Sequence, residues 1–412
     1  MKMQDTIESP RIWMIAREFL TEQQKRIVAL PVEQNQFISG PPGCGKTVLL
    51  LHRANHLLQS CNLSARQLRV LVFTNVLRAY IQAGGDTLSL PFETVQSFYS
   101  WVFQLADREG LPRSQAVRLE EKCKETLEGV TRYFESEQVP PVLEAVLVDE
   151  GQDLPLAAYR LLRRASRHVT VFADSTQKLY TEGNLMVEAT DILDVNNRAI
   201  HLTANLRSNI GVARLAAQFL SDSERDGYLQ SCRQGAAQAR TRIPLLFRTR
   251  SEDEEWERVG EIVKQEIRSN NRTAILLADN ATVNRGHAAL AGGGIPVEKV
   301  TARAPADADF NALTPKILTV FSAKGLSFDT VLIPRITRQH YAHAATAAER
   351  MLFVACTRAR EWLCLSTVQG SEIRELRRLE SLALAGHLIE QEKPLGNVSF
   401  EKEDLPEQDA PF

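Results

Sequence analysis

Gln36-Phe37-Ile38-Ser39-Gly40-Pro41-Pro42-Gly43-Cys44-Gly45-Lys46-Thr47-Val48-Leu49-Leu50-Leu51 is the stretch that decides the fold. A short apolar run, Gln36–Ser39, enters a Gly/Pro loop, and a helix is expected over Val48–Gln59. That strand–loop–helix frame is the context in which G-x-x-x-x-G-K-[ST] has a mechanism. Glycines let backbone N–H groups turn inward around phosphate oxygens, and the helix N-terminus adds favourable partial charge. Residues Gly40, Pro41, Pro42, Gly43, Cys44, Gly45, Lys46 and Thr47 are therefore expected to cradle a nucleotide. Lys46 would reach the outer phosphates and the Thr47 hydroxyl would ligate Mg²⁺. Cys44 reads as a tolerated loop position without a thiol partner.

Outward from this loop, apolar runs alternate with helical or loop segments. An opening helix is expected through Ile15–Leu30. Leu68–Thr74, Val142–Val148 and Val169–Ala173 read as buried strands of a parallel sheet. The charged stretch between Arg108 and Gln138 reads as helical, within a small insertion spanning 99–141. After Leu202 the alternation restarts, with runs at Ile243–Phe247, Thr273–Leu277, Ile317–Phe321, Thr330–Pro334 and Trp362–Ser366. Trp256, Val259, Ile262, Val263 and Ile267 recur at helical spacing in Glu252–Arg268. Two successive α/β units fit, each a mainly parallel sheet covered by helices.

The chain has 412 residues, 44% hydrophobic and 24% charged, with a formal charge of -2. That balance supports a buried core and excludes a polybasic coat, so any nucleic-acid site must be a local channel. No apolar run is long enough for a membrane span, and the first residues are too polar for a signal peptide. The six cysteines form no close CxxC pair, which points to free thiols and a cytoplasmic protein. His340 and His343 have no Cys or acidic neighbour in sequence to complete a zinc site. Arg160, Arg163, Arg164, Arg167 and His168 read as a solvated basic face.

A second chemical signal is Val146-Leu-Val-Asp149-Glu150-Gly-Gln152-Asp153 at the end of a buried strand. One carboxylate there, Asp149, suits the metal, and Glu150 suits activation of the attacking water. A lone acidic pair is weak evidence; placed downstream of the phosphate loop, it is strong.

With these motifs in place the sequence resembles the superfamily 1 helicases of the UvrD/Rep-like branch, in a minimal two-domain form. The stretch after the phosphate loop is also similar to the HelD-like relatives that recycle RNA polymerase. Leu20-Thr-Glu-Gln-Gln24 is similar to the motif whose glutamine reads adenine. Phe73-Thr74-Asn75 and Thr94-Val-Gln96-Ser97-Phe98 resemble the motifs that contact nucleic acid. Phe172-Ala-Asp174-Ser-Thr-Gln177-Lys-Leu-Tyr180 is similar to the segment linking the γ-phosphate to the bound strand, with Gln177 as sensor. Asn205-Leu-Arg207-Ser208 resembles the segment of one arginine finger, and Phe353-Val-Ala-Cys-Thr357-Arg358-Ala-Arg360 that of the second, Arg358. Thr319-Val-Phe-Ser-Ala-Lys324-Gly325-Leu-Ser-Phe328 is similar to the motif joining the nucleotide and nucleic-acid sites.

The resemblance implies two tandem RecA-like domains, here 1–200 and 201–392; the acidic, Pro-containing tail, 393–412, is expected from its composition to be disordered. ATP and Mg²⁺ would sit in the cleft between them. Lys46, Asp149, Glu150, Gln177, Arg207 and Arg358 would be catalytic, and Gln24 and Gly325 would join the phosphate loop in binding ATP. Phe73, Thr74, Asn75, Thr94, Gln96, Ser97, Tyr180, Thr319 and Lys324 would meet single-stranded DNA, or RNA, with 3′ to 5′ polarity. The competing reading is an ATPase switch that acts on a protein partner, such as a nuclease in a repair or phage-defence complex.

The sequence departs from the family at four places. Leu206 replaces a tyrosine that stacks on adenine, and Ser327 a glutamate that contacts ribose, so base and sugar recognition are loosened. Phe321 replaces a histidine. Thr181-Glu182-Gly183 stands where a base-stacking tryptophan is expected, and such platforms contribute about 1–3 kcal/mol per base. Phe73, Tyr180 and Trp101 are the substitutes on offer, although Trp101 reads first as core. The large insertions of the long helicases are absent, which argues against autonomous processive unwinding.

Overall fold

The computed structural model describes residues 15–85, 90–136, 139–174, 185–196, 198–235, 242–302, 308–341 and 348–391. Six strands, β1 (Gln36–Ser39), β2 (Leu68–Val72), β3 (Val95–Ser97), β4 (Leu143–Val148), β5 (Ser166–Ala173) and β6 (Ile200–His201), form one sheet in the order β3-β2-β4-β5-β1-β6. Seven more, β7 (Leu245–Thr249), β8 (Thr273–Leu277), β9 (Glu298–Lys299), β10 (Lys316–Thr319), β11 (Phe328–Ile333), β12 (Ala359–Val368) and β13 (Ile389–Gln391), form a second in the order β13-β7-β12-β11-β8-β10-β9. Every pairing within the two sheets is parallel. Parallel strands need crossovers that cover both sheet faces, which is why the central strands are nearly all apolar.

Helices cover both faces of each sheet. The outer face of the first packs Trp101 and Leu105 of Phe98–Arg108, Leu127 and Phe134 of Leu119–Ser136, and Leu161 of Leu156–Ala165. The stretch expected as an insertion therefore supplies much of this covering layer. Trp101, buried against Phe98, belongs to it as well. The outer face of the second sheet receives Trp256, Val259 and Val263 of Glu252–Arg268. The inner faces of both sheets share one continuous apolar core. It includes Leu77 and Tyr80 of the helix Asn75–Gly85, with the Tyr80 ring edge-on to Phe310 at 5.4 Å.

The opening helix is shorter than expected. A 3-10 turn, Arg17–Phe19, precedes a helix that starts only at Glu22. Thr21 and Gln24 form a reciprocal capping box there, which fixes the start. The phosphate-loop helix starts earlier than expected, at Lys46, and runs to Ser60. Its Arg53, fully buried, donates to the carbonyls of Val28 and Leu30, to Thr170 and to His168. One guanidinium thus ties the Gln24 helix to β5. His168 is accordingly buried, apart from the exposed Arg160, Arg163, Arg164 and Arg167. All six cysteines are free thiols. Among the described residues, no helix is long and apolar enough to cross a membrane.

Candidate active site

β1 delivers its chain into the loop at the carboxyl end of the first sheet, where β5 and β6 flank it. Gly43 and Gly45 take φ of 82° and 90°, a left-handed conformation that favours glycine. A side chain at Gly43 would also collide with Asn205. Lys46 Nζ, buried, donates to the carbonyls of Gly40 (2.8 Å) and Pro41 (2.9 Å) and to Asp174 Oδ2 (3.0 Å). Burial opposes its charge, but Asp174, Cys44 and Glu150 outweigh that and raise its pKa.

β4 ends in the acidic loop. Asp149 Oδ2 accepts the Thr47 hydroxyl at 2.8 Å. Burial, followed by the neighbouring Glu150 charge, pushes the Asp149 carboxyl up to about 7. Glu150 has a φ of 53°, unusual for a side-chain-bearing residue. Gln152 Nε2 donates to Glu150 Oε2 at 2.5 Å, and Gln152 Oε1 accepts the Asp174 N–H at 2.8 Å. Asp149, Glu150, Gln152 and Asp174 therefore form one buried network beside Lys46 and Thr47.

The segment after β6 crosses to the second sheet. Leu206 N–H donates to the Gly43 carbonyl, and Asn209 N–H donates to the Arg360 carbonyl. Arg207 Nη1 donates to the Thr357 carbonyl at 3.4 Å. Arg358, buried, donates to the Val354 carbonyl and to Thr357 Oγ1, each at 3.0 Å. Burial, then the nearby Arg207, pulls the Arg358 pKa down to about 10.

These side chains line one pocket: Lys46, Thr47, Glu150 and Asp174 from one side, Arg207, Gly325 and Arg358 from the other. A contiguous cavity of about 150 Å³ is lined by Gln24, Val48, Tyr80, Leu206, Ser327 and Arg360. Gln24 is already engaged, its Oε1 accepting the Thr21 N–H and its Nε2 donating to the Cys44 carbonyl at 3.4 Å. Of the expected nucleotide residues, Gln177 lies outside the described residues. Asp174, Gln152, Tyr80 and Arg360 are site residues that the sequence reading did not assign. Asp174, Gln152 and Arg360 stood inside quoted motifs, but no spacing rule gave them a role.

The expected nucleic-acid residues are more scattered in environment. Phe73 is half-buried and meets Phe321 edge-on at 6.0 Å, linking the end of β2 to the end of β10. Asn75 is exposed. Thr74 caps its helix through Leu77 N–H, Thr94 donates to the Pro91 carbonyl, and Thr319 Oγ1 bonds Ser322. Gln96 and Ser97 are buried in β3. Lys324 is buried on Asp153 of the acidic loop. Tyr180 and residues 181–183 lie outside the described residues. His340 bonds Thr282 and Asp279; His343 lies outside the described residues.

Among the described residues no group of three or more His, Cys, Asp or Glu is arranged to hold a metal ion. The Thr47 hydroxyl and Asp149 carboxylate instead fit Mg²⁺, a hard cation that takes few protein oxygens and completes its shell with water and phosphate. The raised Asp149 carboxyl is what such a cation would offset.

A family model described as the UvrD-like helicase C-terminal domain matches residues 316–366, and one described as an AAA domain matches residues 23–182. No curated protein matches the chain. Among solved structures, S. cerevisiae Dbp5 bound to RNA and ADP BeF3 is similar over 91% of this chain and 90% of that one, with a TM-score of 0.52 and 11% identity. The likeness is one of fold: two tandem RecA-like domains. The C-terminal domain of a possible DNA helicase from Lactobacillus plantarum aligns with 45% of this chain and 99% of its own, at 19% identity and a TM-score of 0.36.

Proposed function

Because the chain belongs to the UvrD/Rep-like branch of the superfamily 1 helicases, we propose that it is an Mg²⁺- and ATP-dependent motor that moves 3′ to 5′ on single-stranded DNA. The supporting observation is the convergence of Lys46, Thr47 and Glu150 with Arg207 and Arg358 in one pocket between the two sheets. We place the domain boundary at 200/201, with the second domain ending near 392, and place the protein in the cytoplasm.

Phosphoryl transfer from ATP to water is mostly a problem of positioning and charge. Lys46, Arg207 and Arg358 set positive charge around the transferred group from opposite sides. Glu150, oriented by Gln152, accepts the proton of the attacking water at its carboxylate. Thr47 and Asp149 would hold Mg²⁺, which would neutralise phosphate charge. Gln177 senses the terminal phosphate. Because both arginines are anchored on the second-domain segment ending at Thr357, hydrolysis depends on the cleft's geometry, and product release changes it.

A second reading, an ATPase switch acting on a protein partner such as a nuclease, is favoured by the internal engagement of Thr74, Thr94, Thr319 and Lys324. The test is ATPase turnover with and without single-stranded DNA or RNA. Stimulation by DNA supports the motor; flat turnover with nucleic acid, but a rise with a partner isolated from the host, supports the switch.

A further inference from the structure

Lys324 and Asp153 stand 171 positions apart, on opposite sides of the cleft, yet they form a buried ion pair. Their side chains are 2% and 0% exposed. Lys324 follows β10 of the second sheet and Asp153 closes the acidic loop after β4 of the first. We infer that Lys324 is a positioning residue for hydrolysis: its contact with Asp153 registers the acidic loop against the second domain, so that Glu150 faces Arg207 and Arg358. This inference rests on the ATPase reading of the cleft.

Three observations carry it. The Asp153 N–H donates to the Glu150 carbonyl at 3.0 Å, so a displacement of Asp153 is a displacement of Glu150. Glu150 is also tied through Gln152 to Asp174 and thence to Lys46, which makes the loop a single connected unit. On the other side, Gly325 has a φ of 81° and packs so closely on Leu77 that an added Cβ would lie 2.7 Å from it. The Lys324–Gly325 turn is thus seated directly on the first domain.

The second Asp153 oxygen, Oδ1, has no hydrogen-bond partner among the described residues. Burial raises the Asp153 carboxyl to about 6, and Lys324 pulls against that rise. Lys324 is therefore the cation that compensates this carboxylate. Buried ion pairs add little net stability, because both charges lose hydration; their best-attested use is to fix register. A pair placed at a domain seam does that work here. This geometry differs from the family-based expectation, in which Lys324 faces nucleic acid.

The experiment measures nucleic-acid-free ATPase, nucleotide affinity and single-stranded DNA affinity across a salt series for Lys324→Met, Asp153→Asn and the double variant. Lys324→Arg serves as the conservative rescue. The near-isosteric Asp153→Asn keeps the test open if Lys324→Met does not fold. The expected result is a basal kcat lowered roughly 10- to 100-fold in each single variant, as for a sub-ångström to one-ångström misplacement. The KM should be little changed, the double variant no worse than the worse single, and Lys324→Arg partly restored. A basal kcat within about twofold of wild type, with weaker DNA binding and a salt slope reduced by about one, would make Lys324 a phosphate contact and overturn the inference. Multiplicative losses in the double variant would also overturn it. A wild-type protein without ATPase activity would overturn the underlying reading as well, whereas active wild type with unimpaired variants overturns the positioning role alone.

Discussion

Removal of Arg358 should separate stability from catalysis. Its guanidinium is buried and, among the described residues, has hydrogen-bond acceptors, a carbonyl and a hydroxyl, in place of a carboxylate partner. Burial, with Arg207 nearby, lowers its pKa from 12.5 to about 10, so it stays charged at assay pH. Holding that charge in place costs on the order of 3 kcal/mol. Arg358→Ala relieves this cost while forfeiting two hydrogen bonds of about 1 kcal/mol each and some packing. The Tm should therefore stay within about 4 °C of wild type. The chemical step should suffer far more. Arginine fingers contribute about 10³- to 10⁵-fold, and with Arg207 still present the lower end applies, a loss of about 4 kcal/mol of transition-state stabilisation. Steady-state ATPase gives kcat and KM, a fluorescent nucleotide gives affinity, and a thermal melt gives Tm. A kcat within tenfold of wild type would refute the finger assignment. So would a large Tm drop that accounts for the lost activity, because Arg358 would then be a structural cation.

Glu150→Gln should cut turnover by about 10²-fold or more while leaving nucleotide affinity within about threefold, since an amide oxygen still accepts the Gln152 bond; normal turnover in an ATPase assay would remove Glu150 from the proton-transfer role. Trp101→Ala should cost about 3–5 kcal/mol of stability in a denaturant melt. Its folded fraction should bind single-stranded DNA as before, and lost binding at unchanged stability would instead make Trp101 a base platform. Leu206 is 44% exposed at the mouth of the nucleoside cavity, so Leu206→Tyr has room to add a ring. An aromatic contact of about 0.5–1.5 kcal/mol should lower the KM for ATP by about two- to tenfold. A KM that does not fall, measured over ATP, GTP, CTP and UTP, would place the base elsewhere.

The sequence disclosed what is local. The run from Gln36 to Leu51, the apolar strands and the acidic loop after β4 each carry their pattern within a few residues. The late start of the first helix was also readable, because Thr21 and Gln24 have capping-box spacing, whereas the expected helix began at Ile15. Strands β3, β6, β9 and β13, two or three residues long, are too short for a periodicity to register; neighbours in the sheet define them. The acidic network was less legible, because a left-handed Glu150 and the Gln152 bridge depend on where β5 brings Asp174. The destination of Lys324 was not legible at all. A lysine in a polar motif reads as solvent- or phosphate-facing, and only the packing of one domain on the other reveals the aspartate that takes its charge.

That pairing belongs to a wider charge balance. Four buried carboxylates, Asp149, Glu150, Asp153 and Asp174, face Lys46, Lys324, Arg358 and the partly exposed Arg207. A nucleotide with its metal brings in net negative charge. On the proposed function Lys46 would turn from Asp174 to phosphate oxygens, for its ammonium has three donors, already taken by Gly40, Pro41 and Asp174 with a longer contact to Cys44 Sγ. Asp174 would keep its N–H bond to Gln152 but lose its ammonium. The first electrostatic consequence of nucleotide binding therefore falls on the residue that leads into the segment carrying Gln177. Lys324–Asp153 does not itself line the phosphate pocket, although the acidic loop links Asp153 through Glu150 and Gln152 to Asp174. On the proposed function one ion pair would change with the nucleotide while the other would hold the frame, and a motor that couples hydrolysis to domain movement would need both.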